Sequence, residues 1–185
     1  EKECIIALDQ TPFYAESGGQ VGDQGAISFS GGHGFVLDCV KQGKIFLHKV
    51  KLKEGSISKN DKLKLTVDSS LRNSAASHHS ATHLMHAALK HVLGNHVEQK
   101  GSLVDSSKLR FDFSHPKAVT KDELKQIELL VNQQTLSNAE VKTELMQLDD
   151  AIASGAEAMF GEKYDDEVRV LSMGDGFSVE LCGGT

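Results

Sequence analysis

The chain has 185 residues, of which 39% are hydrophobic and 25% charged, a composition that excludes a disordered chain and suits one domain or two small ones. Its net charge of −6 excludes a broad basic surface for a nucleic-acid backbone, so any such contact should be local. With no apolar run of about 20 residues and no secretory signal pattern, a cytoplasmic location is expected. The three cysteines are odd in number and form no close pair, which predicts free thiols.

The first third of the sequence is predicted to be rich in β-strands. Short apolar or alternating runs, separated by Gly, Asn and Asp, occur at CIIALD, GAISFS, GFVLDCV, KIFLHKV and KLKLTV. Strands at such close spacing predict a small barrel-like domain over residues 1–68. Cys4 and Cys39 lie within these runs and are expected to be small core residues.

A helical pattern follows, from Ser69 to His91, and Gly94 with Asn95 lies where a C-terminal cap is expected. The next stretch, HVEQKGSLVDSSKLRFDFSH, predicts two strands around an Asp-Ser-Ser turn.

Thr120 and Glu123 form a capping-box pattern at the start of a second predicted helix. Its expected core face consists of Leu124, Ile127, Leu130 and Val131. Beyond it, AEVKTELMQL predicts a strand, DDAIASGAEAMFG a short helix and a loop, and EVRVLSM and FSVELC closing strands. The predicted fold class is therefore α+β, with a second domain over residues 69–185 in which an antiparallel sheet packs on helices.

The spacing of His79 and His83 is typical of a metal site. Four residues along a helix put both imidazoles on one face, roughly 6 Å apart. Cys182, near the end of the sequence, could add a thiolate, and zinc takes nitrogen and sulfur ligands tetrahedrally. Ser80 stands where a zinc protease has a glutamate general base, which disfavours peptide hydrolysis of that type.

His86 offers a rival metal pair, because His79, His83 and His86 form one stripe on the predicted helix. His79 and His86 are two turns apart, about 10.5 Å of rise, so one ion cannot bridge both. The spacing therefore leaves two pairs open, His79 with His83 and His83 with His86.

Four ordered segments carry a resemblance to a known family. They are TPFYAESGGQVGDQG from Thr11 to Gly25, HSATHLMHAALKHVLG, HVEQKGSLVDSSKLRFDFSH and the terminal LCGGT. Together they resemble the editing domain of the alanyl-tRNA synthetase family over nearly the whole chain. The resemblance implies that residues 69–185 form a zinc-dependent editing core with His79, His83 and Cys182 as ligands. It also implies a fourth ligand, a histidine, directly after Thr185, and ATP binding by the full-length enzymes.

The activity implied by the resemblance is hydrolysis of the ester that joins serine or glycine to the 3′ end of alanine tRNA. The expected partners are the acceptor 3′ end of that tRNA and other domains of the same synthetase. A small synthetase pocket rejects an added hydroxyl weakly, so a second, hydrolytic sieve is needed. Thr11 and Gln99 are the candidates for hydrogen bonding to the serine hydroxyl. The alternatives are an ordinary turn residue at Thr11 and a solvent-facing strand position at Gln99.

Further substrate contacts are expected from the backbone of the Gly-rich loop and from nearby cations. The candidates are Gly18, Gly19, Gln20, Gly22, Arg72, Lys100 and Arg110. The alternative for the glycines is plain turn chemistry with positive φ, and for each cation a solvated surface position.

Two questions stay open at the level of sequence. Zinc could polarise the ester and activate water, or it could anchor the 3′-terminal adenosine. The chain could be an editing domain within a synthetase, a free-standing editing enzyme of the same superfamily, or a non-catalytic module that binds zinc or RNA ends.

Overall fold

The computed structural model describes residues 2–158 and 164–185. The contacts between residues divide the chain into two compact units. The first unit comprises the residues up to Ser77, Leu103–Lys108 and Gly184–Thr185, and the second comprises His78–Ser102 and Leu109–Gly183. Within the described part of the chain, no helix is both long enough and apolar enough to cross a membrane.

The first unit is built on a five-stranded antiparallel sheet. Its strands are β1 (Lys2–Ala7), β2 (Gly25–Phe29), β3 (Gly32–Gln42), β4 (Ile45–Glu54) and β5 (Leu63–Val67), in the order β1-β4-β3-β2-β5. All five predicted strands are confirmed. Alternate side chains along β3 and β4, among them Val36 and Val50, are fully buried, as the period of two requires. Cys39 belongs to this core and Cys4 packs against it.

The helix α1 spans Ser69–Leu93 and confirms the predicted helix. Asp68 caps its start, because its carboxylate accepts the backbone N–H groups of Ser70 and Leu71. Gly94 ends it with a φ of 112° and donates its N–H to the carbonyl of Lys90. Residues 69–77 belong to the first unit and the rest of α1 to the second.

The next elements are β6 (Gln99–Val104) and β7 (Leu109–Phe113), which form a two-stranded sheet, and the helix α2 (Lys121–Ser137). The predicted capping box between Thr120 and Glu123 is present in both directions. Ile127 is buried in the second unit's core, and Leu130 and Val131 pack against it. Leu124, however, is 53% exposed, so its prediction as a core residue is wrong. Helical spacing puts Leu124 on the face of Ile127, but the core that buries Ile127 does not cover the side chain of Leu124.

The last elements form a three-stranded antiparallel sheet with a short helix. These are β8 (Lys142–Gln147), α3 (Leu148–Ala153), β9 (Glu167–Met173) and β10 (Ser178–Leu181), with the strand order β10-β9-β8. The predicted loop after α3 extends into residues 159–163, which lie outside the described residues. Antiparallel sheets packed with helices confirm the α+β fold class.

Candidate metal centre

The second half of α1 presents a buried pair of histidine rings. His79 and His83 are each 7% exposed. Their rings stack with centroids 4.8 Å apart and an interplanar angle of 23°. The four-residue spacing therefore places the two imidazoles side by side, as the helical period requires.

Cys182 reaches the same point from the end of β10. Its backbone N–H donates to the carbonyl of Arg169, and its own carbonyl accepts from the Arg169 guanidinium, at 3.0 Å each. These two bonds fix the residue at the edge of the sheet. Its Sγ lies 3.3 Å from Nε2 of His83 and 3.5 Å from Nε2 of His79.

The donor set fits zinc. One ligand atom from each of His79, His83 and Cys182 lies within 4.8 Å of the other two. A tetrahedral zinc ion with Zn–N bonds of about 2.1 Å and Zn–S bonds of about 2.3 Å holds such nitrogen and sulfur atoms about 3.6 Å apart. The two observed distances between sulfur and nitrogen, 3.3 and 3.5 Å, are close to that value. Among the described residues, this is the group of histidine, cysteine and acidic side chains that could hold a metal ion.

Glu180 supports the centre from behind His83. Its Oε2 lies 2.5 Å from Nδ1 of His83, and an ionised carboxylate can only accept, so Nδ1 donates and Nε2 is directed at Cys182. Burial disfavours the carboxylate, but hydrogen bonds from His83 and His86 outweigh that cost and lower the pKa of Glu180 to about 2. A carboxylate that orients a histidine ligand in this way is a common companion of protein metal sites.

Sequence reasoning missed Glu180, although a signal was present. Residues two apart on a strand face the same side of the sheet. Glu180 precedes Cys182 by two positions at the end of β10, so a predicted ligand at Cys182 points to Glu180 as its neighbour.

The electrostatics of the centre favour a charge-separated pair in the metal-free protein. Burial opposes a charged His83, yet hydrogen bonds with Cys182 and Glu180 prevail and raise its pKa to about 10. Burial likewise opposes a thiolate, but hydrogen bonds from His79 and His83 lower the pKa of Cys182 to about 5. At neutral pH the thiol proton has therefore already left, and a metal ion would replace a proton on His83.

His86 lies outside the donor group. Its Nδ1 is 3.2 Å from Oε1 of Glu180, and its ring lies 5.2 Å from that of Phe111. Its buried Nε2 has no hydrogen-bond partner among the described residues. The geometry thus favours the pair of His79 with His83 over the rival pair of His83 with His86.

Gln99 lines a cavity in the same unit. The cavity has a volume of about 160 Å³ and is bordered by Gln99, His86 and Glu180 together with Lys90, Val97, Glu98, Glu157 and Ala158. The amide of Gln99 is half-buried and donates to the hydroxyl of Ser102 at 3.4 Å. Lys90 and Glu157 form an ion pair at the border of this cavity.

Thr11 belongs to the first unit, where its hydroxyl has two partners. Its Oγ1 accepts the backbone N–H of Phe13 at 3.1 Å and lies 2.7 Å from Nε2 of His48. His48 is fully buried, and burial lowers its pKa, with the backbone of Ile6 offsetting the effect only in part. Thr11 is thus paired within its own unit, and a role in serine recognition stays a prediction.

Two features of the Gly-rich loop favour glycine, namely positive φ angles and close contact with the backbone of β3. Gly18 and Gly19 have φ values of 57° and 81°, which favour glycine. A Cβ at Gly22 would lie 2.2 Å from the carbonyl oxygen of Cys39. Gln20 is 1% exposed, and its amide N–H donates to the hydroxyl of Thr185 at 2.7 Å.

The three basic residues predicted to contact the substrate are all in ion pairs. Arg72 pairs with the buried carboxylate of Asp23 and donates to the carbonyl of Pro12. The exposed Lys100 and Arg110 pair with Glu98 and Asp112. Binding of phosphates by these cations stays a prediction.

A family model and similar sequences agree on the family of this chain. Residues 1–71 match the family model described as tRNA synthetases class II (A). Over 181 residues, covering 98% of this chain, the sequence is 59% identical to the alanine–tRNA ligase of Saccharophagus degradans and 55% identical to that of Pseudoalteromonas translucida. It is 55% identical to the alanine–tRNA ligase of Nitrosomonas europaea over 100% of this chain. The chain spans about a fifth of the length of these relatives, 21% in each case. The chain belongs to the alanyl-tRNA synthetase family.

Proposed function

We propose that this chain is a hydrolytic editing domain that removes serine or glycine from mischarged alanine tRNA at a zinc centre. The observation that carries the proposal is the buried cluster of His79, His83 and Cys182, in a chain 55–59% identical to alanine–tRNA ligases. Ester hydrolysis is chemistry that bound zinc supports, by polarising a carbonyl and lowering the pKa of water.

The side chains around the cluster have roles that follow from their contacts. Glu180 holds the ring of His83 through Nδ1 and so keeps Nε2 available to the ion. Cys182 is a thiolate at neutral pH because its pKa lies near 5, which suits it as a ligand. These residues orient and charge-balance the centre before any substrate arrives.

The adjoining cavity suits a small aminoacyl group. Its volume of about 160 Å³ equals that of roughly five water molecules in the liquid, enough for a serine side chain with its α-carbon and amino group. Gln99 borders the cavity with a polar amide, which could form a hydrogen bond with a serine hydroxyl but not with the methyl group of alanine. This supports Gln99 as a selectivity residue that spares alanine.

Affinity for the body of the tRNA should come from elsewhere. The net charge of −6 gives this chain little attraction for a phosphate backbone. We therefore assign to it the 3′ end of the tRNA. Aminoacylation, ATP binding and most tRNA contacts are assigned to other parts of an alanine–tRNA ligase.

The test is hydrolysis of purified Ser-tRNA, Gly-tRNA and Ala-tRNA by the zinc-supplemented chain, with a parallel protein that carries a histidine after Thr185. We expect Ser-tRNA and Gly-tRNA to be hydrolysed and Ala-tRNA to be spared. Cys182→Ala should lose the activity, whereas His33→Ala, which removes an exposed histidine of the first unit, should retain it. Equal turnover of Ser-tRNA by the wild-type and Cys182→Ala proteins would refute the proposal.

A further inference from the structure

The structure assigns to His86 the role of a positioning residue, which holds Glu180 and through it the ring of His83. The inference rests on the proposed metal centre and deepens it. His86 is not a ligand, but we expect it to influence the affinity of the centre for its ion.

The contacts form a continuous chain from His86 to the cluster. Oε1 of Glu180 lies 3.2 Å from Nδ1 of His86, and Oε2 lies 2.5 Å from Nδ1 of His83. Nε2 of His83 in turn lies 3.3 Å from Sγ of Cys182. His83, His86 and Glu180 are each 7% exposed.

The hydrogen-bond pattern defines what His86 contributes. An ionised carboxylate accepts and cannot donate, so His86 must carry its proton on Nδ1. Its Nε2 is left as an acceptor and has no partner among the described residues. What His86 supplies is the Nδ1–H donor that holds Oε1 of Glu180.

Loss of that donor should loosen the ring of His83. Glu180 would keep the hydroxyl of Ser178, 3.4 Å from Oε1, but this long contact cannot fix the carboxylate alone. Removal of groups that orient a metal ligand typically weakens metal binding by about 10- to 100-fold. We expect the lower end of that range, because His86 acts through one intermediate.

Three substitutions separate the donor from the volume of the ring. His86→Asn keeps an N–H donor near the position of Nδ1, His86→Gln moves it toward the position of Nε2, and His86→Leu removes it while filling the space. Zinc dissociation constants, measured by competition with a chromophoric chelator, should rise about tenfold for His86→Leu and His86→Gln. His86→Asn should stay within about threefold of the wild type. The matching substitutions at the exposed His33 should change nothing.

A purely structural role would give a different result. The melting temperature would then follow the fit of each side chain, while the dissociation constants of the folded variants stayed equal, which would overturn the inference. A rise for His86→Asn as large as for His86→Leu would overturn it too, because it would show that the N–H donor does not set the affinity.

A measurement on the metal-free wild-type protein is independent of folding defects and of catalysis. Long-range ¹H–¹⁵N NMR correlations report which ring nitrogen carries the proton. We expect Nδ1–H for His86, and a proton on Nε2 alone would contradict the assignment. The two proposals can fail separately. If the zinc affinities of the His86 variants change as predicted but the protein does not hydrolyse Ser-tRNA, the proposed editing activity is refuted and the role of His86 is retained.

Discussion

Two buried histidines, one in each unit, show what burial alone does and what anionic partners add. His48 is fully buried against the neutral hydroxyl of Thr11, and its pKa is lowered. His83 is nearly as buried, but Glu180 and Cys182 raise its pKa to about 10. A buried histidine with a neutral partner is a structural group, whereas one held between two anions is prepared to exchange a proton for a metal ion.

The largest expected effect comes from removing an anion beside His83. Glu180→Gln keeps the shape of the side chain but leaves the imidazolium with one anion instead of two. Breaking a buried ion pair from one side typically costs about 3–5 kcal/mol. Urea unfolding of the second unit should report a loss of that order. Glu144→Gln, at an exposed position of β8, is the matched control and should be neutral; an equally small loss at Glu180 would remove the contrast with His48.

A smaller effect is expected when His48 loses its partner in the first unit. Thr11→Val removes the hydroxyl and leaves a buried imidazole nitrogen without a hydrogen bond, at a cost of about 1–3 kcal/mol. Thr11→Ser keeps the hydroxyl and should retain most of the stability in the same urea measurement. If Val is tolerated as well as Ser, the contact between Thr11 and His48 does not stabilise the unit.

A substitution at Gln99 tests whether the second unit also selects Ser-tRNA over Ala-tRNA. Gln99→Leu deletes the amide that borders the cavity at nearly constant volume. The ratio of kcat/KM for Ser-tRNA over Ala-tRNA should fall about tenfold, equivalent to about 1.4 kcal/mol. Gln126→Leu, an exposed change on α2, should leave the ratio as it is. An unchanged ratio in a folded, zinc-loaded Gln99→Leu protein would show that the amide does not select the substrate.

The pH dependence of stability should have opposite signs at the two histidines of the metal-free protein. The lowered pKa of His48 gives stability that is present above about pH 6.5 and is lost as the pH falls. The raised pKa of His83 gives stability that is present below about pH 6.5 and is lost as the pH rises toward its pKa near 10. As the pH falls below about 6.5, the first unit should therefore lose stability through His48.

The readout for this pH effect is hydrogen exchange of amides in β3 and β4, compared between the wild type and His48→Gln. The variant has no imidazole to titrate, so its acid-side slope should be shallower. Identical slopes in both proteins would show that His48 does not titrate with folding.

The features that could be predicted from sequence are those set by neighbours along the chain. The capping box at Thr120 and Glu123 and the face shared by His79 and His83 follow from helical spacing alone. Leu124 was assigned to the core wrongly, because spacing does not reveal how much of a helix another element covers. Helical spacing likewise puts His86 on the same face of α1 as His79 and His83, but it does not reveal the contact of His86 with Glu180. Glu180 and His86 meet across 94 residues of sequence, a contact that only the folded sheet creates.

The most direct test of the account is X-ray absorption spectroscopy of the zinc-loaded chain, together with its metal content. We predict one zinc per chain, with one sulfur at about 2.3 Å and at least two imidazole nitrogens at about 2.0–2.1 Å. In Cys182→Ala the sulfur contribution should vanish, and in His79→Ala one imidazole should be lost. Zinc bound without sulfur, or held by His83 and His86 with His79 unaffected, would contradict the assignment of His79, His83 and Cys182 as the metal centre.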